Sequence, residues 1–480
     1  MAKKKLKTNG IHFLGKASED VTGSQYLVRY GNTQCLLECG LYQSQSNDYL
    51  DSYRVNAEKF KFKPSEIDYV FVAHPHIDHC GLLPRLVKMG FTGKIITTED
   101  TEKVMRLLLL NSCAIVQDEA RILSKRYGRT YEPLYSEEDV YQTFEQVDSY
   151  SEYNVIHELN ENISFQFLKN SHCIGAAQVQ LIMTDRDVKK RILYTSDLGA
   201  IHTENHYVSD TEVPEMFNDV VIMESTYGDN SRTSKKNREF DLRHLKCEID
   251  TTLNRGGTVI LPCFSFSRTQ ELLTSIYELY GEDTSFDTPV YVDSKLSCDI
   301  SFLYSRMLTG ENKELWRNVC EWDNLSFISE KSDSVWVVSN KKPKIILSSS
   351  GFCTNGRIVN YLKQYLRDEN STIIFSGYIG DNPSYLSYRI KHYRDHHFIG
   401  INKEKIPNKA DCITLSTFSS HANHNDLVAY GSSLNTNKVV LVHGTEQSKQ
   451  CLKESLKDAI SENDKTYKVI CANRGMMINL

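Results

Sequence analysis

Between Tyr69 and Pro84 the chain reads YVFVAHPHIDHCGLLP: an apolar run leads directly into three histidines and an aspartate within six positions. The whole chain of 480 residues holds only 15 histidines, so this grouping demands a use. In extended backbone, side chains two apart share a face, and Pro75 biases His74 toward extended geometry. His74 and His76 can therefore converge on one ion. Asp78 and His79, past the turn, can face a second, and Gly81 allows a tight turn into the next helix. Neutral imidazoles with a carboxylate suit Zn²⁺. The remaining ligands are expected at other strand ends, where open α/β sheets place their sites. Ser171-His172-Cys173 follows the apolar run 163–168, Asp197 ends the run 191–196, and His443 ends the run 438–442.

Short β-rich runs alternate with helical patterns throughout, which predicts a layered α/β protein. Strands are expected at 69–73, 94–97, 191–196, 220–224, 258–262, 345–348, 372–376 and 438–443. Helices are expected at 101–126, 241–253, 268–280, 357–366, 426–433 and 447–460. Ser136 with Asp139 reads as a capping box. Polar breaks at 229–237 (DNSRTSKKN) and 403–411 (KEKIPNKAD) bracket a segment with strands and helices of its own. Hydrophobic residues make up 40% and charged residues 25%, as in ordinary globular proteins. No stretch approaches the ~20 apolar residues of a membrane span. The 13 cysteines are scattered without framework spacing, which reads as reduced thiols in a cytoplasmic protein. The net charge of −6 excludes an all-basic nucleic-acid coat but not a local basic groove.

HPHIDH fits the HxHxDH signature of the metallo-β-lactamase fold, and later stretches resemble its β-CASP branch of nucleases. LLECG (36–40), SHCIGAA (171–177) and YTSDLG (194–199) resemble the first, third and fourth motifs. MESTYG (223–228), STFSSHAN (416–423) and LVHG (441–444) resemble motifs A, B and C of the branch. LPCFSFSRTQELL (261–273), YVDSKL (291–296) and SSSGFCTNGR (348–357) resemble its internal signatures. The resemblance implies a four-layer αββα metallo-β-lactamase sandwich with an inserted α/β β-CASP domain. Residues 1–228 would be the first part of the sandwich, 229–410 the β-CASP domain and 411–480 the remainder of the sandwich. It also implies two zinc ions: His74, His76 and His172 on one, Asp78, His79 and His443 on the other, and Asp197 between them.

The implied activity is that of a zinc-dependent ribonuclease. Two metals ~3.5–4 Å apart can hold one hydroxide and polarise a phosphodiester, with bound water ionising near pH ~7. His421 is the candidate general acid and Glu224 its partner; Glu224 can also serve as an N-cap. Arg268, Ser349, Ser350, Gly351 and Arg357 are the expected phosphate-binding residues. Histidine at motif C accompanies RNA-type members, so single-stranded RNA in the interdomain cleft is the expected partner. Lys235, Lys236, Arg238 and Lys295 are candidate cleft residues. The alternatives are a nuclease or phosphodiesterase acting on DNA or small nucleotides, and a non-catalytic zinc scaffold. Self-association into a homo-oligomer is compatible with the sequence. Departures from the pattern are Glu38 for Asp, Asn423 for Asp, Ser267 for Gly and Lys295 for Pro. The stretch 377–389 (GYIGDNPSYLSYR) also lacks the Gly-Thr-Gly-Arg ending.

Overall fold

The computed structural model describes residues 8–44, 49–229, 238–394, 396–462 and 466–480. Lys235 and Lys236 fall outside the described residues, as does the first polar break beyond Asp229. Two seven-stranded sheets face each other. In the first, the order is Met477–Asn479, Gly10–Phe13, Tyr26–Tyr30, Thr33–Leu37, Tyr69–Phe71, Lys94–Thr98, Val147–Tyr150. In the second it is Lys468–Cys471, Lys438–Val442, Val220–Glu224, Val188–Tyr194, Ala177–Asp185, Ile163–Lys169, His157–Asn160. Phe13, Tyr26, Phe71, Phe165, Phe167, Ile222 and Val440 fill the space between them. Burying each such side chain stabilises by roughly 1.5–3 kcal/mol.

Helices cover both outer faces. Leu83–Lys88, Glu99–Tyr127 and Glu137–Phe144 pack on the first sheet through Leu86, Met105, Leu109 and Val140. His424–Ser433 and Glu446–Glu462 pack on the second through Leu427, Tyr430, Leu452 and Leu456. The result is the expected αββα order. Local signals set the helix ends: the Thr98 side chain accepts from Thr101 N, Gly128 closes the same helix at φ 63°, and Ser136 and Asp139 form the reciprocal capping box.

A third sheet has six strands, ordered Leu325–Ile328, Val290–Asp293, Ile345–Ser348, Val259–Pro262, Thr372–Phe375, Asp411–Thr414. Every pairing in it is parallel. Helices lie on both faces, so its central strands are continuous apolar runs. The polar break expected at 403–411 is structured. Phe398–Ile401 and Glu404–Pro407 form a hairpin whose turn residues, Asn402 and Lys403, both have positive φ. Its lysines sit on exposed positions of a two-stranded ribbon, which is why the segment reads as a linker. Asp411–Thr414 then pairs with Thr372–Phe375, so the third sheet continues past residue 410, where the sequence-based division ended it.

Candidate metal centre

Backbone pairing gathers the sequence-predicted ligands at one end of the two facing sheets. Leu37 pairs with Phe71, which sets Glu38 beside the turn carrying His74 and His76. Asp78 and His79 follow in the short helix Ile77–Cys80. His172 occupies the connection between Ile163–Lys169 and Ala177–Asp185. Tyr194 pairs with Ile222, and Glu224 with Val442. Asp197, Glu224 and His443 thus emerge side by side, although Glu224 and His443 are separated by more than two hundred residues of chain. Glu38, Ser196 and His443 adopt positive φ values of 61°, 56° and 49°. Non-glycine residues there carry backbone strain, a trait of functional turns.

Three groups of donors share Asp197: His74, His76 and His172 on one side, Asp78, His79 and His443 on the other, and Glu224 with His421. In the first, His172 Nε2 stands 3.2 Å from His76 Nδ1, and Asp197 Oδ2 lies 3.6 Å from His74 Nε2 and 3.8 Å from His172 Nε2. In the second, His79 Nε2 is 3.3 Å from Asp197 Oδ1 and 3.6 Å from Asp78 Oδ2, which is 3.5 Å from His443 Nε2. Zinc holds such atoms at about 2.0–2.2 Å, which puts tetrahedral neighbours ~3.3–3.6 Å apart. His74 Nε2, His79 Nε2 and Asp197 Oδ1 are buried without hydrogen bonds, a cost that a cation at their centre would remove. Spacing, donor type and orphaned atoms all fit a metal.

The electrostatics favour the ligating forms of His74, His76, His172 and Asp197. Burial pulls His74 and His172 well below the usual imidazole range and His76 down to about 4, which keeps them neutral. Burial opposes ionisation of Asp197, but His443, His79 and His74 outweigh it and hold the carboxyl well below its usual range. Burial likewise pulls on His79, yet Asp197, Asp78 and Glu38 reverse the shift and raise it.

Sequence reasoning marked Glu38 as a departure from the pattern and missed two further hydroxyls. Glu38 Oε1 accepts from Ala73 N at 3.1 Å and from Ser196 Oγ at 3.4 Å, and lies 3.4 Å from His79 Nδ1. Ser196 Oγ in turn meets His74 Nδ1 at 3.0 Å. Glu38 therefore supports one histidine of each group, and its extra methylene is accommodated. Thr226 Oγ1 holds His443 Nδ1 at 3.0 Å. The only signal for Ser196 and Thr226 is their place beside Asp197 and Glu224 in TSDLG and MEST.

Glu224 lies beneath the centre, 1% exposed. Both its oxygens lie 3.2 Å from His421 Nδ1, and it also accepts from Leu198 N and from Thr226 N at 3.2 Å. It therefore caps the following turn and orients His421 together. His421 packs its ring 4.6 Å from His172. Burial pulls the His421 pKa down, but the Glu224 carboxylate overcomes this and raises it above the usual imidazole value. Asn423, standing where the pattern has aspartate, caps the helix His424–Ser433: its side chain accepts from Asp426 N.

The expected phosphate-binding residues are dispersed. Arg357 donates to Asp293 Oδ1 at 2.6 Å and to the carbonyls of Ile328 and Ser329, so its guanidinium ties strands of the third sheet together. Ser349 bonds Ser294 Oγ at 2.9 Å, and Ser350 Oγ donates to Asn355 O at 3.4 Å. Gly351 lies against the Phe264 ring. Arg268 is 9% exposed and donates to Ser376 O at 2.8 Å. Of the candidate cleft lysines and arginines, Arg238 is buried against Glu271 and Ser275, because Phe418 and helix Arg268–Tyr280 enclose it. Lys295 is exposed and pairs with Asp299 in its own helix.

Three family models match the chain: the metallo-beta-lactamase superfamily at residues 19–111, the Beta-Casp domain at 269–383, and the Zn-dependent metallo-hydrolase RNA specificity domain at 405–470. Ribonuclease TTHA0252 of Thermus thermophilus is 28% identical over 442 residues, covering 90% of this chain and 92% of that protein. An RNase J-like protein of Methanocaldococcus jannaschii is 29% identical, covering 80% and 83%. Cleavage and polyadenylation specificity factor 73 of Drosophila melanogaster is 24% identical, covering 92% and 60%. The crystal structure of a protein of unknown function from Enterococcus faecalis V583 superimposes with a TM-score of 0.55 at 15% identity, covering 99% of this chain and all of that one, and shares the fold.

Proposed function

This chain belongs to the β-CASP family of the metallo-β-lactamase fold, and from that premise we propose that it is a zinc-dependent ribonuclease hydrolysing phosphodiester bonds of single-stranded RNA. It is a metal-dependent hydrolase by family. The observation carrying the finer reading is the pair of donor groups joined through Asp197. His74, His76 and His172 would hold one zinc ion, Asp78, His79 and His443 the other, and Asp197 would touch both. When bound, the pair supplies Lewis acidity toward the phosphate and a nucleophile from water at neutral pH. The protein residues do the rest. Glu38, Ser196 and Thr226 fix imidazole tautomers and orientations. Glu224 holds His421 through Nδ1, which leaves proton delivery to the leaving oxygen to Nε2. Ionised Glu224 also keeps the acid form of His421 populated at higher pH.

For the domains we propose a sandwich formed by residues up to 228 and by the C-terminal strands, with the β-CASP unit between. The join follows the strand Asp411–Thr414. In support, the strands Val220–Glu224 and Lys438–Val442 on either side of the insertion pair directly. RNA would reach the metals between the two units. Among the described residues, no helix is long and apolar enough to cross a membrane.

The test uses zinc-loaded protein with labelled single-stranded RNA and DNA of the same sequence. RNA cleavage that disappears in His76→Ala and Asp78→Ala is the expected result. Preferential DNA cleavage would give the nuclease a different substrate. Two zinc ions per chain with no cleavage of either strand would leave a zinc scaffold.

A further inference from the structure

Two large aromatic rings near the metal centre are half-exposed: Phe264 is 47% exposed and Tyr378 is 48% exposed. Phe264 sits in the loop after strand Val259–Pro262. Two residues on, Phe266 is buried and packs its ring 5.5 Å from the His76 imidazole. Two residues of chain span at most about 7 Å, so Phe264 stands close to the metal ligands. Phe352 binds the group together. Its ring lies 5.3 Å from Phe264 at 84°, 6.0 Å from Tyr378 at 89°, and 4.8 Å from Tyr385. Edge-to-face packing of this kind fixes rings while leaving outer π-faces uncovered.

The cluster also faces the sandwich. Burial first, then Asp381, Tyr385 and Tyr227 push the Tyr378 phenol upward, and Tyr227 packs its own ring 6.1 Å from His421. The Tyr385 phenol is raised in the same way, with smaller contributions from the charges of Asp20 and Tyr42 in the sandwich. Asp20 and Asp381 make this wall unsuited to phosphate, whereas π-faces accept any base. Loss of the Gly-Thr-Gly-Arg ending in 377–389 removes an arginine from the same stretch.

We propose that Phe264 and Tyr378 form a stacking platform for the bases of single-stranded RNA next to the scissile phosphate. This rests on the ribonuclease reading above. Stacking anchors the strand without selecting sequence, and Phe352 and Tyr385 act as positioning residues behind the two contact rings.

The test compares a single-stranded RNA 12-mer with the same strand made abasic around the cleavage site, using the zinc-loaded enzyme. The double variant Phe264→Ala/Tyr378→Ala is expected to raise KM on the intact strand about 5- to 100-fold. It should have no effect on the abasic strand. Phe264→Tyr with Tyr378→Phe should restore the wild-type KM. Zinc content and thermal melting of each variant establish that it is folded. An unchanged KM on intact RNA, or an equal loss on the abasic strand, would overturn the platform. If the wild type cuts neither strand, the ribonuclease reading fails by itself, and fluorescence anisotropy of the labelled 12-mer decides. Tighter binding of the intact strand that is lost in the double variant supports the platform; equal binding overturns it.

Discussion

At the scale of single residues, Glu38 shows how much of the centre rests on groups that touch no ion. Its carboxylate joins Ala73 N, Ser196 and His79, and through Ser196 it reaches His74. Supporting groups of this kind typically contribute 10–100-fold in metal affinity. Glu38→Ala should accordingly give up zinc to a competing chelator at a 10–100-fold lower chelator concentration, with Ser196→Ala in the same direction. His421→Ala should retain both metals by elemental analysis and lose about 10²–10⁴-fold in kcat, the usual share of a proton-transfer group. The pH profile gives a sign. The raised pKa of His421 keeps its acid form populated above the ordinary imidazole value, so activity falls only when pH rises through that higher value. Glu224→Gln removes the raising charge and should move the alkaline limb of kcat to lower pH. The grouping of the seven candidate donors was legible because His and Asp at the ends of apolar runs are conspicuous. The tie from Arg357 to Asp293 was not legible, because nothing in a sequence reveals that Asp293 waits across a sheet to receive it. Ser267 replaces an expected glycine and still adopts φ 65°, so the backbone demand outlived the residue that usually meets it.

Elements position these residues through close backbone approach. A Cβ placed on Gly40 would fall 1.6 Å from the Asp78 carbonyl oxygen, because the segment after Thr33–Leu37 runs against the turn bearing Asp78 and His79. Gly40→Ala must push that turn aside. It should cost about 1–3 kcal/mol in denaturant unfolding and lower zinc content, whereas Gly400→Ala, with open space around it, should leave zinc content unchanged. Most long helices and central strands were readable from period and capping, as the Ser136–Asp139 box illustrates. The hairpin Phe398–Pro407 was not, because a charged two-stranded ribbon with no buried face on one side looks like a linker. Nor were the helices Lys295–Met307 and Gly310–Cys320, whose apolar residues are interleaved with polar ones that pack partly inside.

For the molecule as a whole, the centre is where separate parts of the chain meet. Its donors come from the ends of strands in both facing sheets, and His421 reaches it from the segment that follows the third sheet. Ions bound there would link the folded state to metal concentration, since a ligand favouring the native state stabilises it by RT ln(1 + [L]/Kd). Stripping the metal should therefore lower Tm, and added zinc should restore it with a midpoint that rises with zinc concentration. The layered architecture was legible because alternating strands and helices leave few alternatives. The third sheet's edge at Asp411–Thr414 was not, because a strand of four residues carries too little pattern to declare its sheet. The parallel pairing of Val220–Glu224 with Lys438–Val442 also has a consequence for biosynthesis. A ribosome making this chain must pass residue 443 before His443 exists to complete the constellation. The constellation can thus close only after the inserted sheet and the strand that carries His443 have been made.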